Sequence, residues 1–252
     1  MKAALLVLAL SLAAASAGGA WAQAEPGCPG DVPHAATREQ VSYESAGRTV
    51  RGLIYRPRTP NGAGVVMLHG ARGLAADAGR FDPHAIQLAS RGYHVLVPNY
   101  YDARPGRERR TGSDLRAWRR ATNDGAAFLG RQPGAGPARI AGWGYSLGGF
   151  LSGEAAMEGD SLAAAVSLAG GADVGPSGRA RRGIPVLLIH ARRDPVISPA
   201  STRQWGDDLG RRGATVEVLE LSWEGHGFDG PTWCAIFDAS RAFLDRTVGA
   251  QR

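Results

Sequence analysis

The stretch RIAGWGYSLGGF, residues 139–150, decides how the chain is interpreted. It places Ser146 between Gly144 and Gly148, directly after an apolar run. One interpretation is a flexible glycine-rich turn. The other is a tight bend between a strand and a helix that exposes a nucleophilic serine. The bend favours glycine at both flanking positions, because side chains there would collide while the serine adopts strained dihedrals. The N–H of Leu147 would then face a developing oxyanion.

The remaining chain alternates between strand-like and helix-like segments. Short apolar runs predict strands at 51–57, 64–70, 93–100, 138–146, 162–170, 184–191 and 214–222. Helical spacing predicts helices at 81–92, 113–133 with Ser113 as N-cap, 147–158, 199–212 and 232–247. Such alternation implies crossover connections and a mainly parallel central sheet with helices on both faces. We therefore expect one α/β domain over residues 23–252, without repeats or an interdomain linker.

The placement of Asp194 and His226 supports the nucleophile interpretation of Ser146. Asp194 follows the predicted strand 184–191, and His226 follows the predicted strand 214–222. Ligand-binding and catalytic groups of open α/β sheets gather at the carboxyl ends of the strands. The order Ser, Asp, His is also the order of the α/β-hydrolase triad. The sequence therefore predicts Ser146 as nucleophile, His226 as base and Asp194 as the acid that orients the imidazole.

Two further positions belong to this hypothesis. The loop after strand 64–70 predicts the N–H of Ala71 as the second oxyanion donor, beside that of Leu147. His69, which precedes this loop, is interpreted as shaping it; a direct catalytic role is the alternative. Asp173, which follows strand 162–170, remains an alternative to Asp194 as the triad acid.

Five motifs together resemble one family. VVMLHGARG, LASRGYHVLVPNYYDARPG, GWGYSLGG, ARRDPVI and EGHGF, spread over residues 45–247, are similar to the dienelactone hydrolase family within the α/β-hydrolase fold. The resemblance implies a compact hydrolase without a large lid domain, acting on esters or lactones. The family's type member has a cysteine where Ser146 stands, and a glutamate where this chain has His69 and Gly70. These departures put the dienelactone substrate in question more than they question hydrolysis.

The resemblance also implies a carboxylate-binding arginine, for which Arg104 is the candidate. The alternative for Arg104 is a solvated loop residue. Where the family has its second arginine, this chain has Asp229, which would repel an anionic substrate; Arg72 is a partial substitute. Tyr101 is a further candidate for the substrate pocket. Trp143 and Tyr145, which flank the bend, are each either pocket wall or core. We therefore expect neutral short-chain esters to be better substrates than a dienelactone.

The first residues predict export. Residues 1–22 have the layout of a secretory signal peptide, with a cleavage site near 22–24, although an uncleaved anchor is the alternative. Cleavage would give a periplasmic or secreted protein without stable membrane insertion. In an oxidising compartment, Cys28 and Cys234 predict a disulfide; two separate thiols are the alternative. Neither cysteine has metal-ligand spacing, and we expect no metal and no cofactor.

Composition excludes other classes of function. The chain is 44% hydrophobic and 21% charged, which is ordinary for a globular protein, and its net charge is +6. The arginines are scattered in short clusters without an aromatic reading motif, so we expect no nucleic-acid partner. The expected partner is a small-molecule ester or lactone. The remaining alternatives are dienelactone hydrolysis proper, acyl transfer with the same triad, and a non-catalytic binding protein on the same fold.

Overall fold

The computed structural model of the protein describes residues 27–105, 110–171 and 177–249. Within these ranges, strands β1–β8 form one sheet of order β1-β2-β4-β3-β5-β6-β7-β8. Only the pairs β1–β2 and β2–β4 are antiparallel; the others are parallel. The strands are Ala36–Ser45, Arg48–Pro57, Gly62–Leu68, His94–Pro98, Ala135–Tyr145, Ala164–Leu168, Pro185–Arg193 and Thr215–Glu224. The sheet is the mainly parallel one that the sequence predicts.

Helices cover both faces of this sheet. In chain order, α1–α5 are Leu74–Ser90, Gly112–Gly130, Leu147–Glu158, Pro199–Arg211 and Gly230–Thr247. Helices α1 and α5 pack on one face, where the apolar cluster includes Phe81, Trp143 and Phe237. Helices α2, α3 and α4 pack on the other, where the cluster includes Trp118 and Trp205. This layering is the α/β-hydrolase fold, and the described residues contain no large lid.

The structure differs from the sequence prediction mainly at element ends. Strand β1, which the sequence pattern did not reveal, pairs with β2 through a tight turn at Ala46 and Gly47, both at positive φ. Its residues are mostly exposed because it is an edge strand. Helix α2 is capped by Thr111, not Ser113: the Thr111 side chain accepts from the N–H of Asp114, whose carboxylate accepts the Thr111 N–H in return.

Cys28 and Cys234 are joined by a disulfide that ties the segment before β1 to α5. The proposed signal peptide, residues 1–22, lies outside the described residues. None of the helices within the described ranges combines the length and apolar character that crossing a bilayer requires.

Candidate active site

Ser146 occupies the bend between β5 and α3 in a strained conformation. Its φ of 55° and ψ of −118° are rare for a residue with a side chain. A Cβ at Gly144 would overlap the carbonyl of Gly148, and a Cβ at Gly148 would overlap the carbonyl of Leu68. The N–H of Ser146 donates to the carbonyl of Leu168 over 2.8 Å, which fixes the bend to β6. The glycines therefore make this bend sterically possible.

The side chains of Ser146, His226 and Asp194 form a hydrogen-bonded chain. Nε2 of His226 lies 2.8 Å from Oγ of Ser146, and Nδ1 lies 2.7 Å from Oδ2 of Asp194. Oδ1 of Asp194 accepts the N–H groups of Val196 and Ile197 at 2.8 and 3.0 Å. Asp194 directly follows β7, and His226 lies just beyond β8. The arrangement can take a proton from the serine and hold the resulting imidazolium.

Two backbone amides, one in the loop after β3 and one at the start of α3, lack an acceptor among the described residues. Among the described residues, neither the N–H of Ala71 nor that of Leu147 donates a hydrogen bond to another protein group. Leu147 begins α3, where the first amides have no intrahelical partner. Gly148 packs so closely on the carbonyls of Leu68 and His69 that the start of α3 and the loop after β3 adjoin. Free donors at this position suit an oxyanion.

The structure does not bring all pocket candidates together. Trp143 is fully buried in the core, stacks on Phe237 with ring centroids 5.0 Å apart, and donates through Nε1 to Ser240. The pocket-wall interpretation of Trp143 is therefore wrong, because its side chain points to the sheet face covered by α1 and α5. The Tyr101 hydroxyl donates to the carbonyl of Ala71 over 2.9 Å, so Tyr101 does lie beside the loop after β3.

The charged candidates have structural partners. The guanidinium of Arg104 pairs with the buried carboxylate of Asp114 at the start of α2. Asp229 is the exposed N-cap of α5 and accepts the N–H of Thr232 over 2.9 Å. Among the described residues, Arg72 forms no hydrogen bond or ion pair. Asp173, the alternative to Asp194 as the triad acid, lies outside the described residues, so this alternative stays untested.

Sequence reasoning did not reveal the hydrogen bonds by which two side chains contact the site. The Tyr145 hydroxyl donates to the carbonyl of His226 over 2.9 Å. Oδ2 of Asp77, a buried residue of α1, accepts the N–H of Gly70 over 2.6 Å. The sequence predicts this helix from residue 81, whereas α1 begins at Leu74. A helix beginning at residue 74 would have placed Asp77 beside the loop.

Burial sets the charge state of several groups around the site. It lowers the pKa of His69 to about 4, so this imidazole is neutral at physiological pH. Burial raises the pKa of Tyr145 to about 12, which keeps its hydroxyl a donor. It also raises the pKa of the Asp77 carboxyl, against the attraction of Arg80, Arg72 and His226.

Comparison with known proteins gives a family and a fold. The family model described as the dienelactone hydrolase family matches residues 50–233. No curated protein is significantly similar in sequence to this chain. Three solved structures share this fold.

Acylaminoacyl peptidase from Pyrococcus horikoshii is 15% identical with a TM-score of 0.68; the match covers 86% of this chain but only 43% of that longer chain. A dienelactone hydrolase-like promiscuous phosphotriesterase from metagenomic libraries is 24% identical with a TM-score of 0.68, over 85% of this chain and 100% of that chain. An esterase from Pyrobaculum calidifontis is 17% identical with a TM-score of 0.65, over 84% and 86%. At these identities the likeness establishes the fold.

Proposed function

The chain belongs to the dienelactone hydrolase family, and on that premise we propose that it is a serine hydrolase that cleaves carboxylic esters through an acyl-enzyme on Ser146. The observation that carries the proposal is the pair of hydrogen bonds on His226, 2.8 Å to Oγ of Ser146 and 2.7 Å to Asp194. A serine with a base on one side, and an acid behind that base, is the arrangement that activates a hydroxyl for attack.

The first half-reaction forms the acyl-enzyme. Nε2 of His226 accepts the proton of Ser146 while Oγ bonds to the ester carbonyl carbon, and the carbonyl oxygen becomes an oxyanion. The N–H groups of Ala71 and Leu147 donate to that oxyanion, and the carboxylate of Asp194 stabilises the imidazolium. The bond to the leaving oxygen then breaks, and His226 gives its proton to the departing alcohol.

The second half-reaction releases the acid. His226 takes a proton from a water molecule while the water oxygen attacks the acyl carbon, and the same two amides bind the second oxyanion. The bond to Oγ breaks, and the proton held by His226 returns to Ser146. An alcohol in place of water would give acyl transfer with the same residues, so the acceptor is an outcome to be measured.

We propose neutral short-chain esters as the substrates. Arg104, the main candidate for a carboxylate clamp, is already paired with the buried Asp114. Binding an anionic substrate there would require breaking a charge pair, which would leave the buried carboxylate of Asp114 without its cation.

A fluorophosphonate probe tests the proposed nucleophile. We expect intact-mass analysis to show one adduct per chain, and peptide mapping to place it on Ser146. The Ser146→Ala variant is the matched control and should not react. An unlabelled wild-type protein that is folded would contradict the proposal and favour a non-catalytic binding protein.

We also propose that the protein is exported, with cleavage of the signal peptide near residues 22–24. The Cys28–Cys234 disulfide supports this proposal, because disulfides persist in oxidising compartments. Fractionation followed by N-terminal sequencing of the mature chain tests it. Full-length protein in the cytosol, with both thiols reduced, would contradict it.

A further inference from the structure

The peptide between Gly70 and Ala71 is held from several sides. The carbonyl of Gly70 accepts the N–H of Gly73 over 3.1 Å and lies 2.8 Å from Nδ1 of His69. Because a carbonyl oxygen only accepts, Nδ1 of His69 must carry the proton. In a trans peptide the carbonyl and the following N–H point in opposite directions, so these contacts also direct the N–H of Ala71.

Asp77 holds the preceding peptide. Its Oδ2 accepts the N–H of Gly70 over 2.6 Å, and the residue is only 5% exposed. The contacts of Asp77 and His69 therefore act on opposite sides of the Gly70 Cα. Glycine adopts positive and negative φ with similar ease, so Gly70 by itself would not keep one orientation of the Ala71 amide. Hydrogen bonds on both sides remove that freedom.

The carboxylate of Asp77 has no role in the proposed reaction steps. The charged or titratable groups that act on it are His226, Arg72 and Arg80, together with the tyrosines Tyr100, Tyr101 and Tyr145. A negative charge beside a developing oxyanion would oppose catalysis, so the benefit of Asp77 must come from its acceptor oxygen. An uncharged acceptor of the same shape should therefore serve as well.

We propose that Asp77 is a positioning residue that orients the oxyanion donor: by accepting the N–H of Gly70, it keeps the N–H of Ala71 directed at the tetrahedral intermediate. The inference rests on the proposed function and deepens it. It assigns to a buried side chain of α1 a part in stabilising the transition state, although that side chain does not touch the substrate.

Three variants test this assignment. Asp77→Asn keeps an acceptor oxygen and removes the charge, and Asp77→Ala removes the acceptor. Asp114→Ala is the matched control: Asp114 is likewise a buried aspartate in the first turn of a helix, accepting the N–H of Thr111 over 2.8 Å. Asp77→Leu, which fills the space without an acceptor, replaces Asp77→Ala if the smaller side chain prevents folding.

The measurements are kcat and KM on a nitrophenyl ester, together with Ki for a trifluoromethyl ketone whose oxyanion occupies the same position as that of the intermediate. For Asp77→Ala we expect kcat to fall about 10- to 100-fold with little change in KM, below the effect of deleting a donor outright. Ki for the ketone should rise by the factor by which kcat/KM falls. Asp77→Asn should stay within about threefold of wild type, and Asp114→Ala should lower Tm while leaving kcat unchanged.

Two results would overturn the assignment. One is a folded Asp77→Ala or Asp77→Leu protein with wild-type kcat and Ki; the other is an Asp77→Asn protein as impaired as Asp77→Ala, which would mean that the charge is used. Labelling of Ser146 by the fluorophosphonate separates these from failure of the proposed function. If the wild-type protein is labelled but the Asp77 variants lose no activity, only the role of Asp77 is refuted. If the folded wild-type protein is not labelled, the proposed function and the role of Asp77 are both refuted.

Discussion

The Tyr145 hydroxyl donates to the backbone carbonyl of His226 over 2.9 Å, so the residue before the serine holds the segment that carries the base. The Tyr145 ring lies 5.3 Å from the imidazole, centroid to centroid. It also lies so close to Gly70 that a Cβ added there would be 3.2 Å from a ring carbon. One aromatic side chain thus lies beside the bend, the segment of His226 and the loop after β3. Such contacts restrict the positions of groups that must meet within about 3 Å of one another.

Replacing Tyr145 by Phe should slow turnover without weakening substrate binding. The variant keeps the ring and loses one hydrogen bond, worth about 1 kcal/mol, so we expect kcat to fall about three- to tenfold while KM changes little. Steady-state kinetics on a nitrophenyl ester measure the split. The low-field proton resonance of the His226–Asp194 hydrogen bond should broaden in the variant. Unchanged kcat with an unchanged resonance would leave the hydroxyl with a structural role only.

The Ser146 and His226 variants should show that the triad acts as a unit. We expect Ser146→Ala, His226→Ala and the double variant to lose nearly all esterase activity, each by a similar factor, while the fold stays intact by circular dichroism. Asp194→Asn should also be damaging, and Asp173→Asn mild. The reverse ranking of the two aspartates would move the acid to Asp173, and Ser146→Ala with more than a few per cent of wild-type turnover would refute the nucleophile.

The sequence predicted those parts of the fold whose pattern depends on burial. Strands β3 to β7 are apolar runs because the sheet is covered on both faces, and the Gly144–Ser146–Gly148 spacing is dictated by steric contacts within the bend itself. The exposed edge strand β1 has no such pattern. Asp77 and the Tyr145 hydroxyl were missed for a related reason. Their roles come from contacts between segments that are distant in sequence, and no local spacing encodes such contacts.

Acid should destabilise the protein through its buried histidines. Burial lowers the pKa of His84 to about 4 from an ordinary value of 6.5. Between these values the unfolded chain binds a proton that the folded protein excludes, so stability rises with pH through this window and is lost as pH falls from about 6.5 towards 4. The full difference is about 3 kcal/mol for one such histidine.

The variant His84→Phe isolates this contribution, because a phenyl ring can keep the stacking on Phe237, now at 3.5 Å between centroids, without titrating. Free energies of unfolding from denaturant titrations at pH 7 and 4.5 are the measurement. We expect the loss between the two pH values to be smaller in the variant than in wild type. Equal losses would show that His84 is not kept neutral by the fold.

The Cys28–Cys234 disulfide should be a major source of stability. It closes a loop across 206 residues of sequence separation, for which the chain-entropy model gives up to about 5 kcal/mol. The double variant Cys28→Ser, Cys234→Ser should therefore have a lower Tm with kcat nearly unchanged, since neither sulfur contacts the triad. Peptide mapping without reduction checks the bond itself in exported protein. Two free thiols there would contradict it, and so would a Tm that does not respond to the double substitution.

Arg104→Ala should affect stability more than substrate choice. The side chain neutralises Asp114, which is 1% exposed and pairs with the N-cap Thr111 at the start of α2, so its loss leaves a buried carboxylate without its cation. We expect a lower Tm for Arg104→Ala but similar kcat/KM for a neutral short-chain ester. In wild type, that ester should be cleaved more efficiently than a dienelactone, because the candidate clamp is occupied and Asp229 adds a carboxylate shortly after His226. The measurement is kcat/KM for both substrates in wild type and in Arg104→Ala, which gives the substrate preference and the effect of Arg104 on it. A preference for the anionic lactone that disappears with Arg104 would mean that the guanidinium leaves Asp114 to bind the substrate carboxylate, and would restore a dienelactone hydrolase activity.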